Sequence, residues 1–401
     1  MIQISDKSKC CGCTACASSC PKKCISMQYD EEGFLYPVVD RTSCVNCGIC
    51  EKVCPVIRNH VSSEFVREGA VLRAKNKKVV KESTSGGIFK PLAEWSFEND
   101  GVICAAGYDA EFEVVHIIID SRIIELDDAL NTYKFSGSKY VQSDLRDIFP
   151  KLKREIESNR PVCFIGTTCQ VSALNAYLNH SYTNLYTVDL VCHGTPSPML
   201  WKKYLEFQQE KHKSKIVNIS FRSKVYGYHS GGMMQIVFAD GKQYCASARV
   251  DYMLKSFFKE IASRPICYKC PFKHVERDSD LTVYDCWHFS ELVTGRTDDD
   301  NGYTNIIIQS VKGKQLLMKI EDKIELYGVD LYKAMKLDGV MIQQSALPHP
   351  DRDRFYNGCN NKTIEEMVND FIPVTRKDYA VEMVKQCLYK AGILQEIKKH
   401  K

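Results

Sequence analysis

The chain has 401 residues, with 54 Lys and Arg against 50 Asp and Glu, so its formal net charge is +4. Hydrophobic residues make up 44% and charged residues 26% of the chain. These values are ordinary for a globular protein and exclude an intrinsically disordered or collagen-like one. The nearly balanced charge gives no indication of a general nucleic-acid-binding protein. The length predicts two or three domains with a hydrophobic core of their own.

Cysteine is the unusual component, with twenty residues. A chain of this length does not need disulfides to fold, and its cysteine content is below that of small disulfide scaffolds. The first residues contain no basic stretch followed by an apolar run, and the longest apolar runs are only a few residues long. We therefore expect no signal peptide, no membrane span and a cytoplasmic protein. In that reducing compartment, clustered cysteines indicate metal ligands or catalytic thiols.

Two identical cysteine runs of the form C-x2-C-x2-C-x3-C-P occupy the first sixty residues. Their cysteines are Cys10, Cys13, Cys16 and Cys20, then Cys44, Cys47, Cys50 and Cys54. This is the pattern of bacterial two-cluster ferredoxins, in which the fourth cysteine of each run binds the other cluster. The pattern predicts one [4Fe–4S] cluster on Cys10, Cys13, Cys16 and Cys54. It predicts a second on Cys44, Cys47, Cys50 and Cys20.

A pair of zinc knuckles is the alternative for these cysteines. Zinc ribbons use cysteines two at a time, so two identical four-cysteine runs fit them poorly. Cys11 and Cys24 lie outside the pattern and are interpreted as buried thiols without a ligand role. Gly33, between acidic and aromatic residues, predicts a hairpin turn between the two runs. We therefore expect a ferredoxin-like domain over residues 1–60, with a linker within residues 58–70.

Residues 71–345 alternate between short strands and helices, which predicts a mixed α/β domain. Gly101–Asp109 and Val114–Asp120 are predicted strands. Residues 85–99 are a predicted turn and helix, and residues 144–158 a predicted amphipathic helix with Pro150 in its middle. Three strands at 217–221, 233–238 and 243–246 predict an antiparallel insertion.

A strand at Pro161–Ile165, a loop at Gly166–Gln170 and a helix from Val171 form one βα unit. Such a unit can hold a phosphate at the N-terminus of its helix, although many βα turns look the same. The next strand, Leu185–Val191, is followed by Cys192. Because ligands of α/β sheets collect beyond the carboxyl ends of strands, we expect Cys169 and Cys192 at the functional edge.

Cys267 and Cys270 form a further C-x2-C-P segment with only two thiols. Cys169 and Cys192 would complete a third four-cysteine site. Two alternatives stay open: each cysteine is a buried structural thiol, or Cys267 and Cys270 form a redox pair.

Residues 346–401 form a predicted helical C-terminal extension. Pro348 and Pro350 mark a break, and Thr363–Phe371 and Asp378–Lys399 are predicted amphipathic helices. The basic end of the last helix suits a helix C-terminus. We interpret this extension as a packing or partner-docking element, and we expect no nucleic-acid partner.

Together these motifs resemble the coenzyme F420 hydrogenase/dehydrogenase beta-subunit family. The resemblance covers the ferredoxin module and the large domain through about residue 345. The segments that carry it are Ser83–Phe89, Gly137–Ser143, Gly166–Val171, Val191–Pro198, Cys267–Phe272 and Arg277–Asp285.

The resemblance implies an iron–sulfur flavoprotein with FAD as its usual flavin. It implies that a [4Fe–4S] cluster beside the flavin is held by Cys169, Cys192, Cys267 and Cys270. It also implies that the flavin is contacted by nine further residues: Ser85, Gly86, Gly87, Lys139, Tyr140, Val141, Gly166, Thr167 and Thr168. A helix-initiating turn remains the alternative for the Ser-Gly-Gly segment, and surface positions remain the alternative for Lys139 and Tyr140.

Two segments depart from the family pattern. Thr168 stands where the family usually has proline, and Tyr284–His288 stands where Gly-Asp-x-Trp-Gly is common. The missing glycines put the closeness of a ligand to this segment in doubt. Relatives also occur beside polysaccharide-biosynthesis genes in bacteria that are not known to make F420, so the family name does not establish F420 as the substrate.

The expected function is therefore electron transfer between ferredoxin-type clusters and a flavin. That flavin exchanges a hydride with coenzyme F420 or another small molecule, with polysaccharide biosynthesis as one setting. The alternative is a subunit that only relays electrons to a partner enzyme. Ferredoxin or another redox protein is the expected partner. The catalytic acid or base stays unassigned: His193 and His288 are nearest the motifs, and Lys139, Arg222 or Arg249 would meet an anionic substrate.

Overall fold

A computed structural model describes residues 1–58 and 65–393. Part of the predicted linker and the end of the last predicted helix therefore lie outside the described residues. None of the helices in the described part of the chain combines the length and the apolar character that crossing a bilayer requires.

The strands form a two-stranded, a three-stranded and an eight-stranded sheet. Their bounds are β1 Ile25–Tyr29, β2 Leu35–Val39, β3 Glu68–Ala74, β4 Val102–Tyr108, β5 Val114–Asp120, β6 Val162–Thr167, β7 Leu185–Leu190, β8 Ile216–Ser220, β9 Met233–Phe238, β10 Gln243–Ser247, β11 Leu281–Cys286, β12 Tyr303–Ile308 and β13 Ile324–Val329.

Helices connect and cover these sheets. The α-helices are Ala15–Ser18, Ile49–Lys52, Lys77–Glu82, Phe89–Glu98, Leu126–Tyr133, Ile148–Glu157, Thr168–Leu178, Pro198–His212, Tyr252–Phe258, Phe289–Leu292, Val311–Met318, Leu331–Asp338, Val340–Gln343, Arg352–Tyr356, Ile364–Phe371 and Arg376–Lys390. Short 3-10 turns lie at Lys7–Lys9, Tyr228–Ser230, Pro265–Lys269 and Cys359–Asn361.

The N-terminal module is built around the β1–β2 hairpin, as Gly33 predicts. Tyr29 pairs with Leu35, and Gly33 occupies the intervening turn with a φ of +78°. Phe34 and Tyr36 belong to a core cluster that also contains Trp201 of the large domain. The module therefore shares a hydrophobic core with the rest of the chain.

The eight-stranded sheet has the order β13-β3-β12-β11-β7-β6-β4-β5. Strands β11, β7, β6 and β4 are mutually parallel, and β3 runs the same way because two antiparallel pairings separate it from β11. The carboxyl ends of these five strands meet at one edge of the sheet. Residues that follow them are thereby brought together although they are far apart in sequence.

The predicted strands of the large domain are confirmed, while several helix ends differ. The helix after β6 begins at Thr168 rather than Val171, because Thr167 and Gln170 form a capping box. The helix predicted from residue 85 begins at Phe89. Pro150 is accommodated in the first turn of Ile148–Glu157, where a missing N–H costs no helical hydrogen bond.

The C-terminal residues pack on the same core as the N-terminal module. Phe355, Met367 and Val368 are buried in the cluster that holds Trp201. The helix predicted to run to Lys399 ends at Lys390, and Gly392 follows with a φ of +73°. Such a conformation is typical of the residue after a helix C-terminus.

Candidate iron–sulfur and flavin site

Four of the predicted ligands surround a first cavity in the N-terminal module. Cys10, Cys13, Cys16 and Cys54, here called the first ring, line a space with an empty volume of about 330 Å³. The short helix Ala15–Ser18 carries Cys16, and Cys54 arrives from the second cysteine run. This is the crossed arrangement of two-cluster ferredoxins.

A second cavity lies between Cys20, Cys44, Cys47 and Cys50, here called the second ring. Its empty volume is about 350 Å³. Gly48 precedes the helix Ile49–Lys52 with a φ of +75°, a conformation that glycine adopts without strain. Cys47 is exposed, so the second ring reaches the protein surface.

A third cavity lies at the carboxyl edge of the large sheet. It is lined by Cys169, Cys192, Cys267 and Cys270, here called the third ring, and has an empty volume of about 560 Å³. Cys169 follows β6 and Cys192 follows β7, while the other two stand on and just after the 3-10 turn Pro265–Lys269. The fold therefore brings four thiols from three segments to one space.

The donor chemistry of the first and second rings fits iron–sulfur clusters. The backbone N–H groups of Ile2, Gly12 and Asn46 point at the sulfurs of Cys50, Cys10 and Cys44 at 3.3–3.4 Å. N–H···S contacts of this kind are among the interactions that tune a cluster's potential. Within the described residues, no three Cys, His, Asp or Glu side chains form a group that could hold a single metal ion; the thiols of each ring line a larger cavity.

Burial weakens the acidity of two of the ring thiols. Desolvation raises the pKa of Cys16 and of Cys270 to about 12. A cationic iron core would supply the positive charge that favours thiolates in such surroundings.

Two cations stand at the third cavity without a carboxylate partner among the described residues. Lys273 Nζ donates to the carbonyl oxygens of Cys192 and Met341. Burial lowers its pKa, although neighbouring sulfurs act in the opposite direction. Arg264, which is 1% exposed, also lines this cavity. An anionic group in this cavity would be stabilised by these two cations.

A buried hydrogen-bond network supports the floor of the third cavity. Asp189, fully buried on β7, accepts from Thr168 Oγ1 at 2.6 Å and from Arg277 through its Oδ2 atom. Its Oδ1 atom accepts from Ser279 and Thr282 at 2.6 and 2.5 Å. Thr168 therefore fills a structural role beside Cys169, at the position where the family usually has proline.

The Ser-Gly-Gly segment lies beyond β3 at the same sheet edge. Ser85 Oγ lies 2.8 Å from Thr304 Oγ1, and the Gly86 N–H donates to that hydroxyl at 2.9 Å. A Cβ on Gly86 would lie 2.5 Å from the Leu72 carbonyl oxygen. The absence of a side chain at Gly86 therefore serves packing against the sheet, and Gly87 needs glycine for its φ of +83°.

Lys139 is a half-buried cation beside the same edge. Its Nζ donates to the carbonyl oxygens of Phe135 and Gly137, both at 3.2 Å, and lies 5.1 Å from the centre of the Tyr108 ring. No carboxylate pairs with it in the described residues, and burial lowers its pKa to about 7.

Tyr140 and Val141 continue from Lys139 into the core. The Tyr140 ring stacks on Phe257 at 4.3 Å, and Val141 is 4% exposed. Phe257 also lies 5.1 Å from the ring of His193, which lines the third cavity. Contacting aromatic side chains therefore lead from Tyr140, which follows Lys139 in the sequence, through Phe257 to His193 at the third cavity.

Gly166 and Thr167 stand at the end of β6. Gly166 is buried against the Gln170 side chain, and the Thr167 hydroxyl lies 3.2 Å from the Cys169 sulfur. Thr167 and Thr168 line the third cavity with the cysteines. These residues border the third ring, while Lys139 and Ser85 lie along the sheet edge on either side of it.

The two histidines differ in their surroundings. His193 Nε2 contacts Glu260 Oε1 and lies at the third cavity. His288 Nδ1 lies 2.6 Å from Asp338 Oδ1, and the same carboxylate accepts from the backbone N–H groups of Trp287 and His288. His288 is therefore anchored to Asp338, and only His193 borders a thiol cavity.

The two arginines considered for an anionic substrate are both paired. Arg222 forms an ion pair with Asp285, and Arg249 lies 3.5 Å from Asp378. In the departing segment, the Trp287 ring stacks on Tyr228 at 4.4 Å. Lys139 is therefore the one candidate of the three without a carboxylate partner in the described residues.

Sequence reasoning assigned no site role to Cys11, Gln142, Arg264 or Lys273. The thiol of Cys11 lines both the first and the third cavity and contacts Cys13 and Cys169. No spacing rule marks such a residue, because Cys169 lies more than a hundred residues away. A buried arginine and a buried glutamine are likewise recognised only from their contacts.

Two regions of the chain match models of known protein families. Residues 159–331 match the family model for the C terminus of the beta subunit of coenzyme F420 hydrogenase/dehydrogenase, and residues 9–57 match that of the 4Fe-4S dicluster domain. A search of curated proteins found no match. A chain of the F420-reducing [NiFe] hydrogenase complex from Methanosarcina barkeri has 17% identity and a TM-score of 0.46, over 73% of this chain and 99% of that one.

Proposed function

Because the chain belongs to the coenzyme F420 hydrogenase/dehydrogenase beta-subunit family over residues 159–331 and has a 4Fe-4S dicluster domain over residues 9–57, we propose that it is an iron–sulfur flavoprotein oxidoreductase. It passes electrons between ferredoxin-type clusters and a flavin, which exchanges a hydride with F420 or another small molecule. The proposal also assigns residues 1–60 to the ferredoxin-like domain, 71–345 to the flavin and iron–sulfur domain and 346–401 to the C-terminal extension.

One observation carries the proposal: the four thiols of the third ring line a cavity at the sheet edge that also holds Lys139, a cation without a carboxylate partner in the described residues. The four thiols offer the ligands for a cluster, and Lys139 offers a contact for a flavin phosphate. Ligands of α/β domains bind at this edge.

Different residues of the chain have different roles in this proposal. The three rings would hold [4Fe–4S] clusters, and Lys139 and Thr167 would hold the flavin. When bound, the clusters supply one-electron steps and the flavin supplies two-electron hydride chemistry. Lys273 and Arg264 offset negative charge at the third ring, and the Asp189 network holds Thr168 and Arg277 in place.

A cofactor inventory of anaerobically purified protein tests the proposal. We expect about twelve iron atoms and an equal amount of acid-labile sulfide, because each [4Fe–4S] cluster takes four thiolates. We also expect one flavin per chain, identified by its absorption spectrum after release. Zinc without iron would contradict the iron–sulfur part, and a full iron content without flavin would contradict the flavoprotein part.

Turnover by the isolated chain separates an enzyme from a relay subunit. The exposed Cys47 places the second ring where another protein can reach it, which both functions need. Oxidation or reduction of F420, or of a nucleotide sugar, by the chain alone would support the enzyme. The relay would be supported if ferredoxin reduces the clusters but the chain turns over no substrate alone, and turnover appears only when a partner enzyme is added.

Flavin binding is expected to depend on pH through Lys139. Burial lowers the pKa of its ammonium to about 7, so the cation is lost as the pH rises through that value. We expect the affinity for FAD to fall about tenfold between about pH 6 and pH 8, as the charged fraction falls. The measurement is a titration of flavin-depleted, cluster-containing protein followed by flavin fluorescence.

Two variants of Lys139 test whether its charge causes the pH dependence. Lys139→Arg keeps its charge at every pH and should lose the pH dependence, whereas Lys139→Gln should bind FAD weakly throughout. Lys151→Gln, on an exposed helical position, is the matched control. An unchanged pH profile in Lys139→Arg would show that another group titrates.

A further inference from the structure

Arg264 stands between the first and the third ring. Its Nε donates to the carbonyl oxygen of Cys10 at 2.7 Å, and its Nη2 donates to the carbonyl oxygen of Leu35 at 2.9 Å. The same side chain lines the third cavity, and Cys267 lies three residues later on the 3-10 turn that Arg264 precedes. One guanidinium therefore contacts the ferredoxin module and the third site together.

Gln142 completes this junction. Its Oε1 accepts from Arg264 Nη1 at 2.9 Å, while its Nε2 donates to the carbonyl oxygen of Cys11 at 3.2 Å. Gly12 leaves room for both side chains, because a Cβ there would lie 2.3 Å from Gln142 Nε2 and 2.9 Å from Arg264 Nη1. The contacts fix the loop of the first ring against the third cavity.

The charge of Arg264 is the unusual feature of the junction. The side chain is 1% exposed, its hydrogen-bond acceptors are neutral oxygens, and no carboxylate pairs with it among residues 1–58 and 65–393. The Tyr36 ring lies 4.0 Å from the guanidinium carbon and adds a cation–π contact. A buried cation without an anionic partner is costly, so the site fits anionic groups on either side.

On the proposed iron–sulfur function, we propose that Arg264 is a positioning residue that holds the first ring against the third and favours the reduced state of both clusters. Reduction adds one electron to a cluster and exchanges no ligand, so each reduced cluster carries one more negative charge. A buried positive charge between the two stabilises that added charge. The second ring has no contact with Arg264, so its cluster should be much less affected.

This arrangement also gives the rings an order. The second ring reaches the surface, the first ring is joined to the third by Arg264 and Cys11, and the third lies at the sheet edge. Electrons that enter at the surface would reach the sheet edge through the first ring.

Redox titration followed by electron paramagnetic resonance tests the inference on the full chain. In Arg264→Gln, two of three midpoint potentials should become more negative, by about a tenfold change in each equilibrium constant for reduction. The midpoint potential of the cluster in the second ring should stay unchanged. Arg264→Lys keeps the charge and should restore most of the shift.

Gln142→Glu provides a second, nearly isosteric variant. It places a carboxylate beside Arg264 and neutralises the guanidinium while all cysteines remain. The same two potentials should become more negative. If Arg264→Gln fails to assemble, this variant still decides the question.

The matched control removes a buried arginine that is already neutralised. Arg352, 5% exposed, pairs with Glu32 of the ferredoxin module at 2.6 and 2.7 Å and donates to the Ser263 carbonyl oxygen. A double replacement, Arg352→Gln with Glu32→Gln, loosens the same interface without changing net charge. Its potentials should stay near those of the unmodified chain.

The outcomes separate this inference from the proposed function. If the unmodified chain holds fewer than three clusters, the proposed function fails. If it holds three and the Arg264 and Gln142 variants leave all potentials unchanged, or shift all three equally, only the role of Arg264 is overturned. An equal shift in the Arg352 and Glu32 double variant would also overturn it.

Discussion

Replacement of Cys267 by serine is expected to remove about four iron atoms per chain and leave about eight. Cys267 belongs to the third ring with Cys169, Cys192 and Cys270, and a [4Fe–4S] cluster that loses one of four thiolates is bound far less tightly. None of the eight predicted ferredoxin ligands lines that cavity, where the module contributes only the neighbouring Cys11. Iron analysis and the spectrum of the reduced protein measure the loss.

Cys245→Ser is the control for this replacement. Cys245 is half-buried like Cys267, but it stands on β10 of the small sheet and lines none of the three thiol cavities. Its iron content should equal that of the unmodified chain. An unchanged iron content in both Cys267→Ser and Cys270→Ser would show that the third ring is not a cluster site.

Replacement of Asp189 by alanine is expected to destabilise the large domain by about 3–5 kcal/mol, because it leaves Arg277 as an uncompensated buried cation. Asp189 is fully buried and accepts hydrogen bonds from four side chains. The urea concentration at the midpoint of unfolding measures this effect.

Replacement of Asp189 by alanine should also weaken iron binding at the third ring. Thr168 precedes Cys169, and Arg277 lines the third cavity, so their displacement should lower iron by about four per chain while the module keeps its clusters. Asp322→Ala, which removes an exposed carboxylate paired with Lys323, should change neither quantity. Full stability in Asp189→Ala would contradict the structural role given to the network.

Local sequence rules predicted much of the fold. The alternation of apolar segments predicted β4 to β7 within one or two residues, because buried strands between turn residues are short and apolar. Helix ends were harder to predict. Small residues favour loops and therefore predict a loop at Thr168, whereas the Thr167–Gln170 capping box starts the helix there.

The candidate site was predictable only where its residues are close in sequence. The crossed membership of Cys20 and Cys54 follows from spacing, and their cavities group them in the same way. The resemblance implies that Gly86 contacts the flavin, and the structure shows in addition that a Cβ there would lie 2.5 Å from the Leu72 carbonyl oxygen. Sequence gives no direction for a side chain, so a glycine needed for packing and one needed for a ligand look alike.

The two ferredoxin cysteine runs, the mixed α/β pattern of the large domain and the resemblance to the family could be recognised from residue order, because ligand spacing, strand–helix alternation and short motifs are local properties. Only the folded chain shows which distant groups meet. It joined Cys169 and Cys192 with Cys267 and Cys270, placed Cys11 between two cavities, and enclosed Arg264 without a carboxylate partner among the described residues. These contacts depend on the parallel order of strands and on burial, which residue spacing does not encode.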